Sequence, residues 1–193
     1  MKKRIISALL GCTLLSTQLL AEDSTIYIGI DGINSSNTFT YKLDGYTGDT
    51  ESTSNSNALK LKLGWIRENG GRTQIYYLQE RYDDTIFDTS NNTLTEVGLD
   101  FIKDFQLSPV LSPFIQAGIG YGWMDIDGYS ESEISEVNAK AGGGLVFRAS
   151  EKIELLIGVD FQVKKWSDRK SGSSTIETNE DSTKYYVGAN LLF

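Results

Sequence analysis

The chain has 193 residues, a formal net charge of −8 and no histidine. This length fits a single domain, and such an acidic chain argues against nucleic acid as a partner. The only cysteine is Cys12, so a disulfide within the chain is excluded and ordinary zinc or copper ligands are missing. Without histidine, a serine or aspartate also lacks its usual activating base. We therefore expect no enzymatic activity, no catalytic residues, no metal site and no cofactor.

The N-terminus has the layout of a secretory signal peptide. A basic start at Lys2 to Arg4 leads into an apolar segment from Ile5 to Leu20, and Ala21 then precedes an acidic pair. The segment is too short and too polar for a membrane-spanning helix. We predict a cleaved signal peptide at residues 1–21 and one exported domain at residues 22–193.

Cys12 leaves a second interpretation of the N-terminus open. The sequence from Leu9 to Cys12, LLGC, resembles a lipoprotein processing site in which Cys12 would be lipidated. The apolar run before Cys12 is very short and the apolar character continues beyond it, which favours cleavage after Ala21.

Side chains that alternate with a period of two residues recur along the rest of the chain and predict β-strands. The runs are Thr25–Ile33, Asn57–Arg67, Arg72–Tyr82, Leu94–Lys103, Phe114–Met124, Val137–Arg148, Ile153–Lys164 and Thr183–Phe193. The fifth is the clearest, because Ile115, Ile119 and Trp123 share one face while glycines occupy the other.

The third run leaves its apolar face undecided, since Ile75 and Tyr77 compete with Tyr76 and Leu78. Each run has roughly ten residues, the length that a tilted membrane-crossing strand needs. No helical period of similar strength appears. We predict an all-β fold, an eight-stranded antiparallel up-and-down transmembrane β-barrel.

The connections between the runs alternate in length. Short turns are predicted at residues 68–71, 104–112 and 149–152, and long polar loops at residues 34–56, 83–93, 125–136 and 165–182. This asymmetry is typical of outer-membrane barrels. With the N-terminus in the periplasm, the short turns would face the periplasm and the four loops the outside. The acidic segment 125–136 is expected to be solvated; the alternative is weak calcium or magnesium binding that bridges this segment to lipopolysaccharide phosphates.

The face opposite the apolar stripes carries charges of both signs in mid-strand. We assign these to the barrel interior, where they can pair across strands: Lys60, Lys62, Glu96, Asp100, Lys140, Glu154, Asp160 and Lys164. Facing lipid near the midplane, a Lys or Arg would cost about 2–4 kcal/mol. Glycines on the same face would make room for these side chains, because an eight-stranded barrel is narrow.

Aromatic side chains lie near the ends of the apolar stripes. We assign them to girdles at the two membrane interfaces. The girdle residues are Trp65, Phe101, Tyr121, Trp123 and Phe147. Phe193 and Tyr185 lie at comparable positions, toward the periplasmic and the outer rim respectively.

Three segments resemble a known group of proteins. The ending YYVGANLLF resembles the last strand of outer-membrane barrels, SPFIQAGIGYGW resembles a strand of the OmpA/OmpX-like and opacity-type β-barrel families, and ASEKIELLIGVDFQV resembles their following turn and strand. In these families the barrel-assembly machinery recognises the last strand. The resemblance therefore implies an assembly signal that includes Tyr185, Leu191 and Phe193, and a place in a Gram-negative outer membrane.

Folds of this kind host several functions, and three interpretations follow. The leading one is a structural or surface-display protein whose polar loops serve adhesion or another surface interaction. The alternative is a small porin-like channel, although eight strands normally leave the interior filled. A soluble periplasmic barrel would instead need an apolar, ligand-binding interior. Expected partners are outer-membrane lipid, lipopolysaccharide, the assembly machinery and an unidentified surface ligand.

Overall fold

The structure is a computed structural model that describes residues 24–43, 48–87, 91–126, 133–171 and 174–193. Its strands are β1 (Ser24–Leu43), β2 (Asp49–Arg67), β3 (Gly71–Tyr82), β4 (Thr93–Asp104), β5 (Leu111–Asp125), β6 (Glu133–Arg148), β7 (Ile153–Trp166), β8 (Arg169–Ser171) and β9 (Ser174–Leu192). The predicted signal peptide, including Cys12, lies outside the described residues. Within the described ranges, no helix is long and apolar enough to cross a membrane.

Eight of these strands close into a barrel. Neighbours in the sequence pair antiparallel from β1 to β7, then β7 pairs with β9, and β9 returns to pair with β1. The three-residue strand β8 pairs with the start of β9 and does not belong to the barrel wall. The predicted eight-stranded up-and-down transmembrane barrel is confirmed.

The register of the pairs fixes the tilt of the strands. Paired residues lead around the barrel through Ile28, Leu63, Ile75, Leu99, Ile119, Ala139, Val163, Asp181 and Thr38. The path returns to β1 ten residues beyond Ile28, which for eight strands corresponds to a tilt of about 40°. Each step to the next strand along this path therefore raises a paired residue by about 3 Å along the barrel axis.

Side chains alternate between the interior and the outer face of the barrel. In β3, Ile75 and Tyr77 face outward with 44% and 42% of their surface exposed, whereas Tyr76 and Leu78 are buried inside. This settles the face that the sequence left undecided. The outward apolar residues form a lipid-facing belt about 25 Å tall, which matches the apolar band of outer-membrane barrels.

We call the barrel end with the short turns the inner rim and the opposite end the outer rim. Strands continue beyond the belt at the outer rim, so the predicted loop boundaries were wrong. β1 runs to Leu43 and β2 begins at Asp49, so most of residues 34–56 forms a hairpin. β6 begins at Glu133 and β9 at Ser174, which shortens the loops predicted at 125–136 and 165–182.

The extensions are strands without an apolar stripe. In β1, Ser35 and Asn37 are buried inside while Ser36 points outward. Outside the lipid, the outward positions no longer need apolar side chains. Hydropathy alternation therefore fades although the backbone ladder continues, and the sequence pattern did not reveal these strands.

Candidate functional site

Glycines in the barrel wall leave room for long inward side chains. A Cβ at Gly118 would collide with the Asp100 carboxylate and the Lys140 side chain, and a Cβ at Gly188 with the Asp31 carboxylate. The charged side chains therefore lie flat against glycines of the neighbouring strands. This arrangement lets a narrow barrel hold lysines and carboxylates in its interior.

The central cluster consists of two aspartates and three lysines. Asp31 lies 3.2 Å from Lys60 Nζ and 2.5 Å from Lys62 Nζ. Asp100 lies 2.9 Å from Lys140 Nζ and 3.8 Å from Lys60 Nζ. All five side chains are buried. Each aspartate thus has two cations, and Lys60 joins the two halves of the cluster.

The inner cluster is built around Arg72, near the inner rim. Its Nη1 lies 2.5 Å from Glu154 Oε2, its Nη2 donates to Glu154 Oε1 at 3.0 Å, and its Nε donates to Asp104 at 2.7 Å. The paired hydrogen bonds to Glu154 match the planar fork of a guanidinium. Arg148, which is partly exposed, adds a second cation 3.5 Å from Glu154.

The outer cluster lies beneath the outer rim. Lys164 Nζ is 3.0 Å from Glu80 and 2.9 Å from Glu180, and Lys184 Nζ is 2.9 Å from Glu80. The indole of Trp166 donates to Glu180 at 3.0 Å. Two lysines therefore face two glutamates, and a buried indole satisfies a further carboxylate oxygen.

The interior holds more carboxylates than cations. Among the described residues, the nine buried carboxylates are Asp31, Glu80, Glu96, Asp100, Asp104, Glu136, Glu154, Asp160 and Glu180, and the six buried cations are Lys60, Lys62, Arg72, Lys140, Lys164 and Lys184. Only three of the nine, Glu96, Glu136 and Asp160, have no Lys or Arg nitrogen within 4.0 Å among the described residues. The excess of acid is thus concentrated on these side chains.

Two of these acids are held by neutral donors in the outer half of the barrel. The phenol of Tyr76 donates to Glu96 at 2.6 Å, and Asn138 Nδ2 donates to Glu136 at 3.0 Å. Neutral hydrogen bonds compensate a buried charge less well than a cation does. Within the described ranges, no group of three or more acidic side chains has the geometry to hold a metal ion.

The structure distributes the predicted interior charges over these groups. Lys60, Lys62, Asp100 and Lys140 meet in the central cluster, Glu154 lies in the inner one, Lys164 in the outer one, Glu96 beside Tyr76, and Asp160 beside Gln116. All eight are buried.

Seven interior charges were missed from the sequence. These are Asp31, Arg72, Glu80, Asp104, Glu136, Glu180 and Lys184. Asp31 and Lys184 already lay opposite an apolar stripe, which is a signal that could have identified them. Glu136 and Glu180 fell in segments predicted as solvated loops, which proved wrong because both lie in strands and point inward.

An apolar cluster covers the charges at the outer rim. Its members are Phe39, Tyr82, Phe87, Leu94, Met124, Ile126, Ile134 and Trp166, each no more than 4% exposed. The ring of Phe87, from the connection after β3, meets the Trp166 ring edge-on at 4.9 Å, and the Arg169 guanidinium lies 4.4 Å from its centre. The Phe87 ring thus packs over the mouth of the barrel.

Little free space remains inside. The cavity lined by Tyr27, Arg72 and Gln116 among others has a volume of about 10 Å³. That is room for about one water molecule. Among the described residues, the charged clusters and the apolar cluster above them therefore occupy the lumen.

The predicted girdle and terminal aromatics face outward. Phe101, Tyr121 and Phe147 are 55%, 46% and 47% exposed, and Trp65 and Trp123 are partly buried on the same outer face. From the strand register, Trp65 and Phe147 lie near the inner edge of the belt and Tyr121 and Trp123 near its outer edge. Phe101 lies nearer the middle of the belt. Tyr185, Leu191 and Phe193 also point outward.

The outer hairpin, residues 34–43 of β1 and 49–57 of β2, presents a polar surface beyond the belt. Its outward side chains are Asn34, Ser36, Thr38, Thr40, Lys42, Asp49, Glu51, Thr53, Asn55 and Asn57. Its tip lies about 15 Å beyond the belt. β1 pairs with β2 on one side and with β9 on the other, so this surface has a regular backbone.

No family model and no curated protein matches the sequence. Solved structures do match the fold. Neisserial surface protein A (NspA) has a TM-score of 0.57 at 16% identity, covering 87% of this chain and 97% of that chain. The outer membrane protein OprG from Pseudomonas aeruginosa has a TM-score of 0.52 at 12% identity, covering 87% and 95%.

The N-terminal β-barrel domain of Pseudomonas aeruginosa OprF has a TM-score of 0.51 at 15% identity, covering 83% of this chain and 97% of that chain. Sequence identities this low show the fold alone. The three structural matches confirm the resemblance to small outer-membrane β-barrels that the sequence predicted.

Proposed function

We propose that this chain is an outer-membrane protein that displays its outer hairpin to molecules outside the cell. The observation that carries the proposal is the ordered ladder of the hairpin beyond the lipid-facing belt. Thr38 pairs with Thr53 on β2 and with Asp181 on β9, and the apolar cluster supports the hairpin from inside. A preformed surface loses little conformational entropy on binding.

The outward side chains of the outer hairpin and of the adjoining ends of β7 and β9 favour a basic partner. Lys42 and Lys165 are each compensated, by Asp49 at 3.5 Å and by Glu177 at 3.1 Å. Glu51 and Asp181 face outward beside hydroxyl and amide side chains. Carboxylates among hydroxyls suit a polypeptide surface rich in Lys and Arg, through charge-assisted hydrogen bonds. The proposal assigns no catalytic role, because the sequence contains no histidine.

The orientation can be tested by labelling single cysteines on intact Gram-negative cells with a membrane-impermeant maleimide. Thr53→Cys lies on the outer hairpin and Lys152→Cys in a short turn at the inner rim. We expect label on Thr53→Cys in intact cells, and on Lys152→Cys only after the outer membrane is permeabilised. The wild-type chain, whose only cysteine is Cys12, is the background control.

Binding can be tested with cells on surfaces coated with a Lys- and Arg-rich polypeptide, with a Glu-rich polypeptide as the comparison coating. We expect more cells to remain on the basic coating when they carry the protein, and this gain to be lost in the double variant Glu51→Lys/Asp181→Lys. The matched control, Glu68→Lys/Glu151→Lys, makes the same change in net charge at the inner rim and should keep the gain. No gain on the basic coating, or equal loss in both variants, would contradict the proposal.

A further inference from the structure

The turn between β4 and β5 is apolar although it lies beyond the ends of both strands. Phe105, Leu107 and Val110 are 47%, 71% and 49% exposed. The other short turns at the inner rim, residues 68–70 and 149–152, read Glu-Asn-Gly and Ala-Ser-Glu-Lys. One short turn thus presents an apolar surface where its neighbours present polar ones.

Backbone hydrogen bonds hold this apolar turn, residues 105–110, in a defined shape. The N–H of Phe105 donates to the carbonyl of Pro113 at 2.8 Å, and the N–H of Leu107 donates to the carbonyl of Leu111 at 3.2 Å. The N–H of Arg148 on β6 donates to the carbonyl of Val110 at 2.8 Å. Because the turn is fixed on both sides, its apolar side chains stay exposed.

The apolar turn continues the lipid-facing belt. Phe105 and Leu107 follow the alternation of Leu99 and Phe101 on the outer face of β4. From the register and tilt, Phe105 is level with Ile153 at the inner edge of the belt. Leu107 lies about 5 Å beyond that edge, on the side away from the outer rim. The polar interface of a bilayer is about 5–8 Å thick on each side, so Leu107 falls within it.

A cation lies beside the apolar turn. Lys103 is exposed on the outer face of β4, and its Nζ donates to the carbonyl of Asn69 in the neighbouring turn at the inner rim. Apolar side chains with a neighbouring Lys fit the interface of a phospholipid leaflet, where acyl chains meet phosphates.

We propose that the apolar turn is embedded in the interface of the phospholipid leaflet at the inner rim. Phe105, Leu107 and Val110 contact acyl chains there, while Lys103 reaches toward lipid phosphates. The turn thereby fixes the depth of this side of the barrel in the membrane. The inference rests on the shape of the barrel and is independent of what the outer hairpin binds.

Fluorescent labels at single cysteines test the proposal in the full chain refolded into phosphatidylcholine vesicles with some phosphatidylglycerol. Leu107→Cys reports on the apolar turn, and Glu151→Cys lies at a similar level, two residues beyond Ile153 in a polar turn. Ile119→Cys, 61% exposed on the belt, is the lipid-embedded standard. Gel mobility of unboiled samples confirms that each variant is folded, and the wild-type chain controls for label on Cys12.

We expect iodide to quench the label at position 107 as weakly as it quenches the label at position 119. Phospholipid that carries a nitroxide near its headgroup should quench the label at position 107 strongly. The label at 151 should remain open to iodide. Equal iodide quenching at 107 and 151 would overturn the proposal. The proposal would also be overturned if the label at 107 were shielded from both quenchers and this shielding increased with the protein-to-lipid ratio. A second copy of the chain would then cover the turn.

Discussion

The buried carboxylates differ in how many cations compensate them. Asp31 has both Lys60 and Lys62, whereas the ion-pair partner of Asp104 is Arg72. We expect Arg72→Met to lower the free energy of unfolding by about 3–5 kcal/mol, because it leaves a buried carboxylate without its cation. Lys62→Met should cost less, about 1–2 kcal/mol, since Asp31 keeps Lys60. Urea midpoints in lipid vesicles measure both, and equal losses would contradict the argument.

For the buried acids that have no cation nearby, we expect neutralisation to change the free energy of unfolding in the opposite direction. Glu136→Gln removes a charge that no cation neutralises and keeps an oxygen to accept from Asn138. We expect its free energy of unfolding to be unchanged or raised by about 1 kcal/mol. The matched variant Glu80→Gln deprives Lys164 and Lys184 of a shared carboxylate and should cost about 3 kcal/mol. A comparable loss in both variants at neutral pH would show that Glu136 is compensated in another way.

At the level of strands, the two strands of the outer hairpin have different surroundings. The carbonyl of Asn55 accepts from Asp83 on the side away from β1, so the backbone N–H of Thr53, two residues away, points to the same side. β3 pairs with β2 only from Ser56 onward within the described residues. The N–H of Thr53 therefore lies at an edge, and that of Thr38 points to β9.

Proline substitutions exploit this difference, because proline has no N–H to donate. Thr38→Pro should break the β1–β9 ladder and expose amides 35–42 to hydrogen exchange, with loss of at least about 1 kcal/mol of local protection. Thr53→Pro at the edge should leave the same amides protected. If both variants exchange alike, the hairpin is not held by the ladder seen in the structure.

The last strand tests assembly apart from stability. The Phe193 side chain is 70% exposed, although its N–H donates to Ile26 at 2.9 Å. We expect Phe193→Ser to reduce the amount of barrel in the outer membrane severalfold, while the purified variant loses only about 1–2 kcal/mol. Phe147→Ser, on the same outer face, should assemble at normal levels. Normal levels of Phe193→Ser would count against the assembly signal.

The strands could be predicted from the sequence where contact with lipid requires apolar side chains on the outer face. Beyond the lipid, where that requirement ends, the prediction failed. In the belt, Ile115 to Trp123 must be apolar at every second position, and the strand is readable. In the outer hairpin, Asn37 and Ser36 are both polar although one is buried and one exposed. Lys60 was assigned to the interior from its position opposite an apolar stripe. The pairs and the uncompensated Glu136 depend on register between strands, which a single sequence does not contain.

The whole molecule stacks its interior in layers. From the inner rim outward, Arg72 and its two carboxylates are followed by the central aspartates and lysines, then by the outer glutamates, and finally by the apolar cluster. Each layer is crosslinked between different strands, and Trp166 joins the outer glutamates to the apolar cluster above them. Opening a path for ions would require changes at several levels at once.

Conductance in planar lipid bilayers tests this closed architecture. We expect the folded wild-type barrel to give no discrete channels, and Phe87→Ser to remain silent because the charged layers still fill the lumen below. In the central layer, Lys60 Nζ lies 5.5 Å and 5.4 Å from the ring centres of Tyr76 and Tyr186. Removing both rings together with Phe87, as Tyr76→Ala/Tyr186→Ala/Phe87→Ser, should also leave the barrel silent, since the inner cluster and the outer cluster still fill the lumen. Discrete wild-type channels would instead favour the porin-like function and require that the interior charges rearrange.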